Sequence, residues 1–310
     1  MQAGCEFTNC VGTTHTSLFP IETYHAIIFH GRDMDDDLKV CFNIKLFLRS
    51  FKLFLQGPSR RSLGQRYIYF LLESPAHDSL DYSRYSDFFN WTMTYRRDSD
   101  IFAPYGSFSR SSEPTSVKAI LKRVRGLPKQ KLVAWVVSNC NTNSKREEYV
   151  NELQKHISVD VFGGCGTKSC PGARINSGKC RSLLERDYMF YLAFENSKCN
   201  DYVTEKFYLA LDMDIVPIVM GGANYSAIAP PGSYIDVNDY SSVQELAKEL
   251  NRLSKAREEY LKFFRWKATK KVLQGSGQMG CNLCKSLHES KPTKIYQDLG
   301  SWWRGGGNCQ

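Results

Sequence analysis

The stretch richest in chemistry is 188–211, which reads YMFYLAFENSKCNDYVTEKFYLAL. An apolar run stops at Glu195 and Asn196, crosses a short polar gap, and restarts on Glu205 and Lys206 at the head of a helical pattern. The N-terminus of a helix attracts anions, and a lysine beside it adds a full positive charge. Glu205 would repel a phosphate, yet a carboxylate there can accept hydrogen bonds from a ribose diol. The two lips of the turn together suit a sugar nucleotide. The competing reading is an ordinary charged first turn, with Asn200 or Asp201 as its cap. Against it, a strand that looks buried rarely ends in Glu-Asn without using both.

A second candidate follows the strong strand pattern KLVAWVVSN, whose Ser138 and Asn139 would reach the same sheet edge; Arg146 lies in the helix that comes next. An arginine there could make a bidentate contact with a diphosphate, although among Lys145, Glu147 and Glu148 it also fits a solvated helix face. In the N-terminal half, FLLESPAH ends an apolar strand on Glu73. A carboxylate so placed can act as a general base, with His77 and His30 as competing bases. The acidic cluster Asp33, Asp35, Asp36 and Asp37 reads better as a solvated helix start than as a metal site.

Strands and helices must carry these residues. HAIIFHGR and QRYIYFLLESP read as buried strands, and 38–55 (LKVCFNIKLFLRSFKLFL) has helical spacing. APYGSFSRSSEPT reads as loop. Further on, VDVFGG, YMFYLAFEN, IVPIVMGG and GSYIDV alternate with helical stretches such as SKREEYVNELQKH, YVTEKFYLALD and SVQELAKELNRLSKAREEYLKFF. These strands are too apolar for a one-sided sheet, which predicts a parallel sheet covered on both faces. Ligands of such sheets bind outside the carboxyl ends of the strands. The composition turns polar across 107–127, so we expect two α/β domains facing each other across a cleft, 1–125 and 126–280, with a C-terminal segment 281–310.

The 310 residues are 42% hydrophobic and 13% aromatic, enough for real cores and against a disordered chain. A net charge of +9 suits an anionic ligand, but the basic residues are scattered and give no nucleic-acid footprint. No apolar run is long enough to span a membrane, and MQAGCEFTNC lacks the pattern of a signal peptide. Eleven cysteines point to an oxidising compartment and disulfides, with an odd thiol left over. CNLC at Cys281 and Cys284 has no second CxxC to complete a zinc site. The sequons at Asn90 and Asn224 agree with a secretory route.

The long motifs FYLAFENSKCNDYVTEKFYLAL and VPIVMGGANYSAIAPPGSYIDVNDYSSVQELAKEL resemble the donor-binding half of the α1,3-fucosyltransferases, glycosyltransferase family 10; LLESPAH and FNWTMTYRRDSDIFAPYG resemble the acceptor half. The resemblance runs from about Cys5 to Cys309. GGCGTKSCPGA and DLGSWWRGGGNC are most similar to the invertebrate glycoprotein 3-alpha-L-fucosyltransferases.

This resemblance implies a GT-B fold of two Rossmann-like domains. It also implies inverting transfer of L-fucose from GDP-fucose to the 3-hydroxyl of N-acetylglucosamine in N-glycans, the core residue favoured over an antennal one. Residue by residue it implies Glu73 as general base, Arg146 and Lys206 on the diphosphate, and Glu205 on the ribose. Glu195, Asn196 and Tyr202 would line the nucleotide pocket, and Cys281 and Cys284 would belong to a C-terminal disulfide motif. No cofactor is implied, with a divalent metal at most stimulatory. The partners implied are GDP-fucose and an N-glycan or glycoprotein acceptor. Family members are type II membrane proteins of the Golgi lumen. This chain starts inside the acceptor half, so the resemblance implies a domain 1–125 lacking its anchor and first strand. Two alternatives follow: a catalytically silent glycan- or nucleotide-binding protein, and a transferase for another nucleotide sugar.

Overall fold

The computed structural model describes residues 5–14, 18–34, 61–170, 175, 177–289 and 294–310. The helix expected over 38–55, the acidic residues 35–37 and the thiol of Cys41 lie outside these residues. The chain divides into two compact units. One comprises Met1–Tyr105, Cys199–Asp201 and Gln274–Cys309; the other comprises Gly106–Lys198 and Tyr202–Leu273, with Gln310.

In the first unit, β1 (Ala26–His30), β2 (Arg66–Leu71), β3 (Trp91–Thr94) and β4 (Ile101–Phe102) form a parallel sheet in that order. The register sets Ile28 opposite Ile68 and Ile68 opposite Trp91. Ile27, Phe29, Ile68 and Tyr69 are fully buried, which is why these runs of β-branched and aromatic residues form interior strands. The helix Gly275–His288 lays Met279, Leu283 and Leu287 against Ile68, Trp91, Met93 and Ile101. Their spacing of four keeps them on one helical face, and burying a leucine such as Leu283 contributes about 1.5–3 kcal/mol. The segment 281–309 is therefore part of the first unit.

Disulfides reinforce this packing. Cys281 and Cys284 are bonded to Cys5 and Cys10, and Cys199 to Cys309. Two further pairs, Cys140–Cys165 and Cys170–Cys180, lie in the second unit. Ten cysteines are thus paired, as an oxidising compartment permits.

The second unit opens with β5 (Gly106–Arg110) and α1 (Val117–Arg125). The alternation expected from the sequence follows: β6 (Lys131–Val136), α2 (Arg146–Leu153), β7 (Val159–Phe162), α3 (Gly178–Asp187), β8 (Tyr188–Phe194), α4 (Glu205–Asp212), β9 (Val216–Met220) and β10 (Ile235–Asp236). Two helices, α5 (Val243–Lys255) and α6 (Arg257–Lys262), and the strand β11 (Lys270–Gln274) complete it. All seven residues of β8 are buried, as a strand covered on both faces requires. In α5, Ser242 accepts from the Glu245 N–H, and Leu246, Leu250 and Leu253 face the core. The segment 106–110, read as loop, is a strand because it pairs with β11. That pairing draws 106–125 into the second unit, ahead of the boundary expected at 125/126.

The five-stranded sheet has the order β10-β9-β8-β6-β7, with parallel pairing throughout. From β6 the chain moves outward to β7, then returns to the other side of β6 as β8. The carboxyl ends of β6 and β8 therefore flank the switch point, where open α/β sheets bind ligands.

Candidate functional site

Two loops leave that switch point, one from β6 to α2 and the other from β8 to α4. Three contacts join them. Ser144 donates from its N–H to the Asn196 carbonyl at 3.1 Å and from Oγ to the Glu195 carbonyl at 2.7 Å. Arg146 donates from Nη1 to the Phe194 carbonyl at 2.8 Å. Its Nη2 reaches the Asn139 carbonyl at 3.1 Å, and its Nε pairs with Glu147 at 3.4 Å. The guanidinium is buried and lies over Trp135. It clamps the two strand ends together, and these contacts use three of its five N–H groups. The exposed helix face considered for Arg146 is thus excluded.

The lip formed by β8 is equally organised. Glu195 is fully buried. Its Oε1 accepts from the Thr204 N–H at 2.8 Å, and its Oε2 accepts from the Thr204 hydroxyl at 2.8 Å and from Lys206 Nζ at 3.1 Å. Lys206 also stands 3.6 Å from Glu205, whose side chain is half exposed. Burial pushes the Glu195 carboxyl above its ordinary value, against the pull of the Lys206 ammonium and the Thr204 donors. Burial would lower the Lys206 ammonium, but Glu195 and Glu205 more than offset this and hold it above the ordinary lysine value. Asn196 is half-buried, its carbonyl spent on Ser144, and Tyr202 is buried. The structure thus brings Arg146, Glu195, Asn196, Glu205 and Lys206 to one sheet edge.

Three details differ from the sequence reading. The residue at the N-cap position of α4 is Thr204, not Asn200 or Asp201, and its side chain makes no capping bond to the helix; Asp201 adopts φ +58 in the preceding turn. Thr204 and Ser144 were not anticipated, and the one available signal was a hydroxyl residue just before Glu205-Lys206. Asn90 is buried, its Oδ1 accepting from the Tyr67 N–H and its Nδ2 donating to the Lys294 carbonyl, each at 2.9 Å. This burial and bonding argue against the glycan-acceptor reading of Asn90. Asn224 is exposed in a short turn and is compatible with a glycan.

In the first unit, Glu73 follows β2 and receives a 2.8 Å hydrogen bond from Arg32 Nη2. Its Oε1 accepts from the Ser74 N–H at 3.2 Å. His77 is half-buried, with Nε2 enclosed and without a partner among the described residues. His30 pairs with Asp33 at 2.9 Å in the turn after β1. Among the described residues one group, Cys10, Cys284 and His288, has the proximity to hold a metal; two of its three sulfur and nitrogen donors are joined as a disulfide. No described helix is long and apolar enough to cross a membrane.

Comparison with known proteins places these features. Residues 127–302 match the family profile described as Glycosyltransferase family 10 (fucosyltransferase) C-term, and residues 1–106 match that described as Fucosyltransferase, N-terminal. The chain is 36% identical to Alpha-(1,3)-fucosyltransferase C of Drosophila melanogaster, over 96% of this chain and 70% of that protein. It is 42% identical to Glycoprotein 3-alpha-L-fucosyltransferase A of the same organism, over 77% of this chain and 48% of that one. Among solved structures, one of an alpha1,3-fucosyltransferase with GDP-fucose superposes with a TM-score of 0.52 at 17% identity, covering 77% of this chain and 78% of the other. At that identity the likeness is one of fold, GT-B.

Proposed function

The chain belongs to glycosyltransferase family 10, the fucosyltransferases, and from that premise we propose that it transfers L-fucose from GDP-fucose to the 3-hydroxyl of an N-acetylglucosamine in N-glycans. The core residue is favoured over an antennal one, and the anomeric centre is inverted. The unit around β6–β10 holds the donor, and the unit around β1–β4 holds the acceptor. The observation that carries the proposal is the meeting of Arg146, Glu205 and Lys206 where the loops after β6 and β8 join.

In the reaction, the acceptor 3-oxygen bonds to the fucose C1 as the C1–oxygen bond to GDP breaks. Glu73 takes the acceptor proton. Lys206, with the N–H groups that Arg146 has left, stabilises the charge growing on the departing diphosphate, while Glu205 accepts from the ribose hydroxyls. Asn196 and Tyr202 line the nucleotide pocket. Inversion follows from a single displacement, as in inverting glycoside hydrolysis. These cations serve without a divalent metal, which is at most stimulatory. The acceptor is a glycoprotein, and the site of action is the Golgi lumen, consistent with ten paired cysteines.

The deciding experiment incubates the protein with GDP-fucose and defined N-glycans and reads the product linkage by mass spectrometry. A 3-linked fucose on the core residue is expected. Transfer from another nucleotide sugar in place of GDP-fucose, or GDP binding without any transfer, would overturn the proposal.

A further inference from the structure

The Glu195 carboxylate has no surface left for a ligand. Its side chain is 0% exposed, and Thr204 and Lys206 take both of its oxygens. The Lys206 side chain is 21% exposed, and its ammonium donates at 2.8 Å to the Thr204 hydroxyl as well as to Glu195. The Thr204 hydroxyl has a single proton, which it gives to Glu195, so it receives from Lys206 and completes a closed triangle. Two of the three ammonium protons are committed inside this triangle, and the third has no hydrogen-bond partner among the described residues.

Burial of a charge is tolerated when it is paired and hydrogen-bonded, and is costly otherwise. A lysine at this sheet edge faces the desolvation of the β8 wall and the nearby Arg146 guanidinium, both of which disfavour its charge. Glu205 attracts it from 3.6 Å across a half-exposed surface, where screening is strong. The buried Glu195 is the unscreened partner. Tyr191 and Tyr225 complete the surroundings: both phenols are buried beside these groups, and burial raises them well above the ordinary tyrosine value, so they stay neutral. Gly221 leaves room for this arrangement, since a Cβ on it would sit 2.5 Å from the Tyr225 hydroxyl and 3.6 Å from the Glu195 Cγ.

The geometry points to Glu195 as a positioning residue, which stays off the ligand and holds the Lys206 ammonium and the first turn of α4 in place for a nucleoside diphosphate. The inference rests on the reading that Lys206 meets the donor's diphosphate. It removes Glu195 from the groups that touch the donor, and it assigns Thr204 the link between carboxylate and ammonium.

The test is calorimetric titration of the full chain with GDP between pH 7 and pH 10. Wild-type affinity should follow only the titration of GDP itself, which is common to every variant and cancels in the comparison. Glu195→Gln removes the attraction that keeps Lys206 charged. Its affinity should fall about tenfold near neutral pH and fall further toward alkaline pH, the limb moving acidward by about one unit or more. Thr204→Val should weaken GDP about as much, and Thr204→Ser should restore it. If Glu195→Gln fails to fold, the Thr204 pair carries the test. Wild-type affinity and pH dependence in folded Glu195→Gln, or in Thr204→Val, would overturn the inference. Lys206→Ala separates it from its premise: unchanged GDP affinity there sinks the donor-site reading itself, whereas loss there with no effect at Glu195 and Thr204 sinks only the positioning role.

Discussion

Arg32 and Glu73 come from adjacent strand ends and meet as an ion pair, Nη2 to Oε2 at 2.8 Å. β1 and β2 run parallel with His30 opposite Phe70, so the turn after β1 and the residues after β2 leave the sheet side by side. The Arg32 side chain is half exposed and that of Glu73 one-fifth exposed. Such a pair adds at most about 1 kcal/mol to stability. What it does is fix direction, because the Ser74 N–H holds the other carboxylate oxygen. A carboxylate held at both oxygens has a fixed orientation.

If Glu73 removes the acceptor proton, Glu73→Gln should lower transfer about 10²-fold or more and leave GDP affinity within about twofold. Arg32→Ala should retain part of the activity, with turnover falling more than the apparent acceptor affinity, because the carboxylate remains and only its aim is lost. Turnover with a defined glycan acceptor, alongside GDP titration, reads both. A Glu73→Gln enzyme that loses GDP binding in parallel would show that the residue supports the fold instead.

Arg146 carries a second prediction. Its fork spans the carbonyls of Phe194, at the end of β8, and of Asn139, in the loop after β6, and a lysine ammonium cannot reproduce that planar geometry. Arg146→Lys should therefore lower both thermal stability and GDP affinity despite keeping the charge. Each buried carbonyl left without a donor costs about 1–3 kcal/mol. Preserved melting temperature with reduced GDP affinity would mean that the clamp is dispensable and that only the ligand contact matters.

Much of the second unit can be read from the chain because its signals are local. YMFYLAF has no polar residue in seven, so β8 has to be covered on both faces. YVTEKFYLALD has helical spacing, and α4 begins within it, at Glu205. Other features depend on partners distant in sequence. GSFSR is strand only because Lys270–Gln274 lies beside it. Asn200 and Asp201 are favoured cap types, but the Cys199–Cys309 disulfide and the bond from the Asn200 N–H to the Gly307 carbonyl commit them elsewhere. Arg32, an arginine in a turn, carries no local mark of its pairing with Glu73 across 41 residues. The sequon at Asn90 carries no local mark of its burial for the same reason, since the motif cannot show that β2 and the Lys294 backbone engage the amide.

That amide gives a third prediction. When the chain is expressed in a glycosylating host, the glycan should sit at Asn224 and not at Asn90. Asn224→Gln should therefore remove the mobility shift that a glycosidase removes. Asn90→Ala should leave the shift in place and lower stability by about 1–3 kcal/mol, because it strands the Tyr67 N–H and the Lys294 carbonyl. Peptide mapping that finds a glycan on Asn90 would contradict the buried geometry.

The final prediction concerns acid stability and a site away from the sheet's carboxyl edge. Asp214, just before β9, is buried and receives two hydrogen bonds from Arg123, at 2.6 and 2.8 Å, and one from Lys267 at 3.0 Å. Burial alone would raise its carboxyl, but the Arg123 and Lys267 donors prevail and hold it below the ordinary carboxylate range. A carboxyl whose folded value is lowered contributes stability that is present above its unfolded value, near pH 4, and is lost as pH falls through the folded value. Asp214→Asn should thus destabilise the protein by about 3 kcal/mol at neutral pH, since it leaves the largely buried Lys267 unpaired. The gap in melting temperature between the two proteins should stay constant from pH 7 to pH 5 and narrow below pH 4. A gap that persists undiminished at pH 2.5 would mean that packing, and not the charge on Asp214, holds this corner of the sheet.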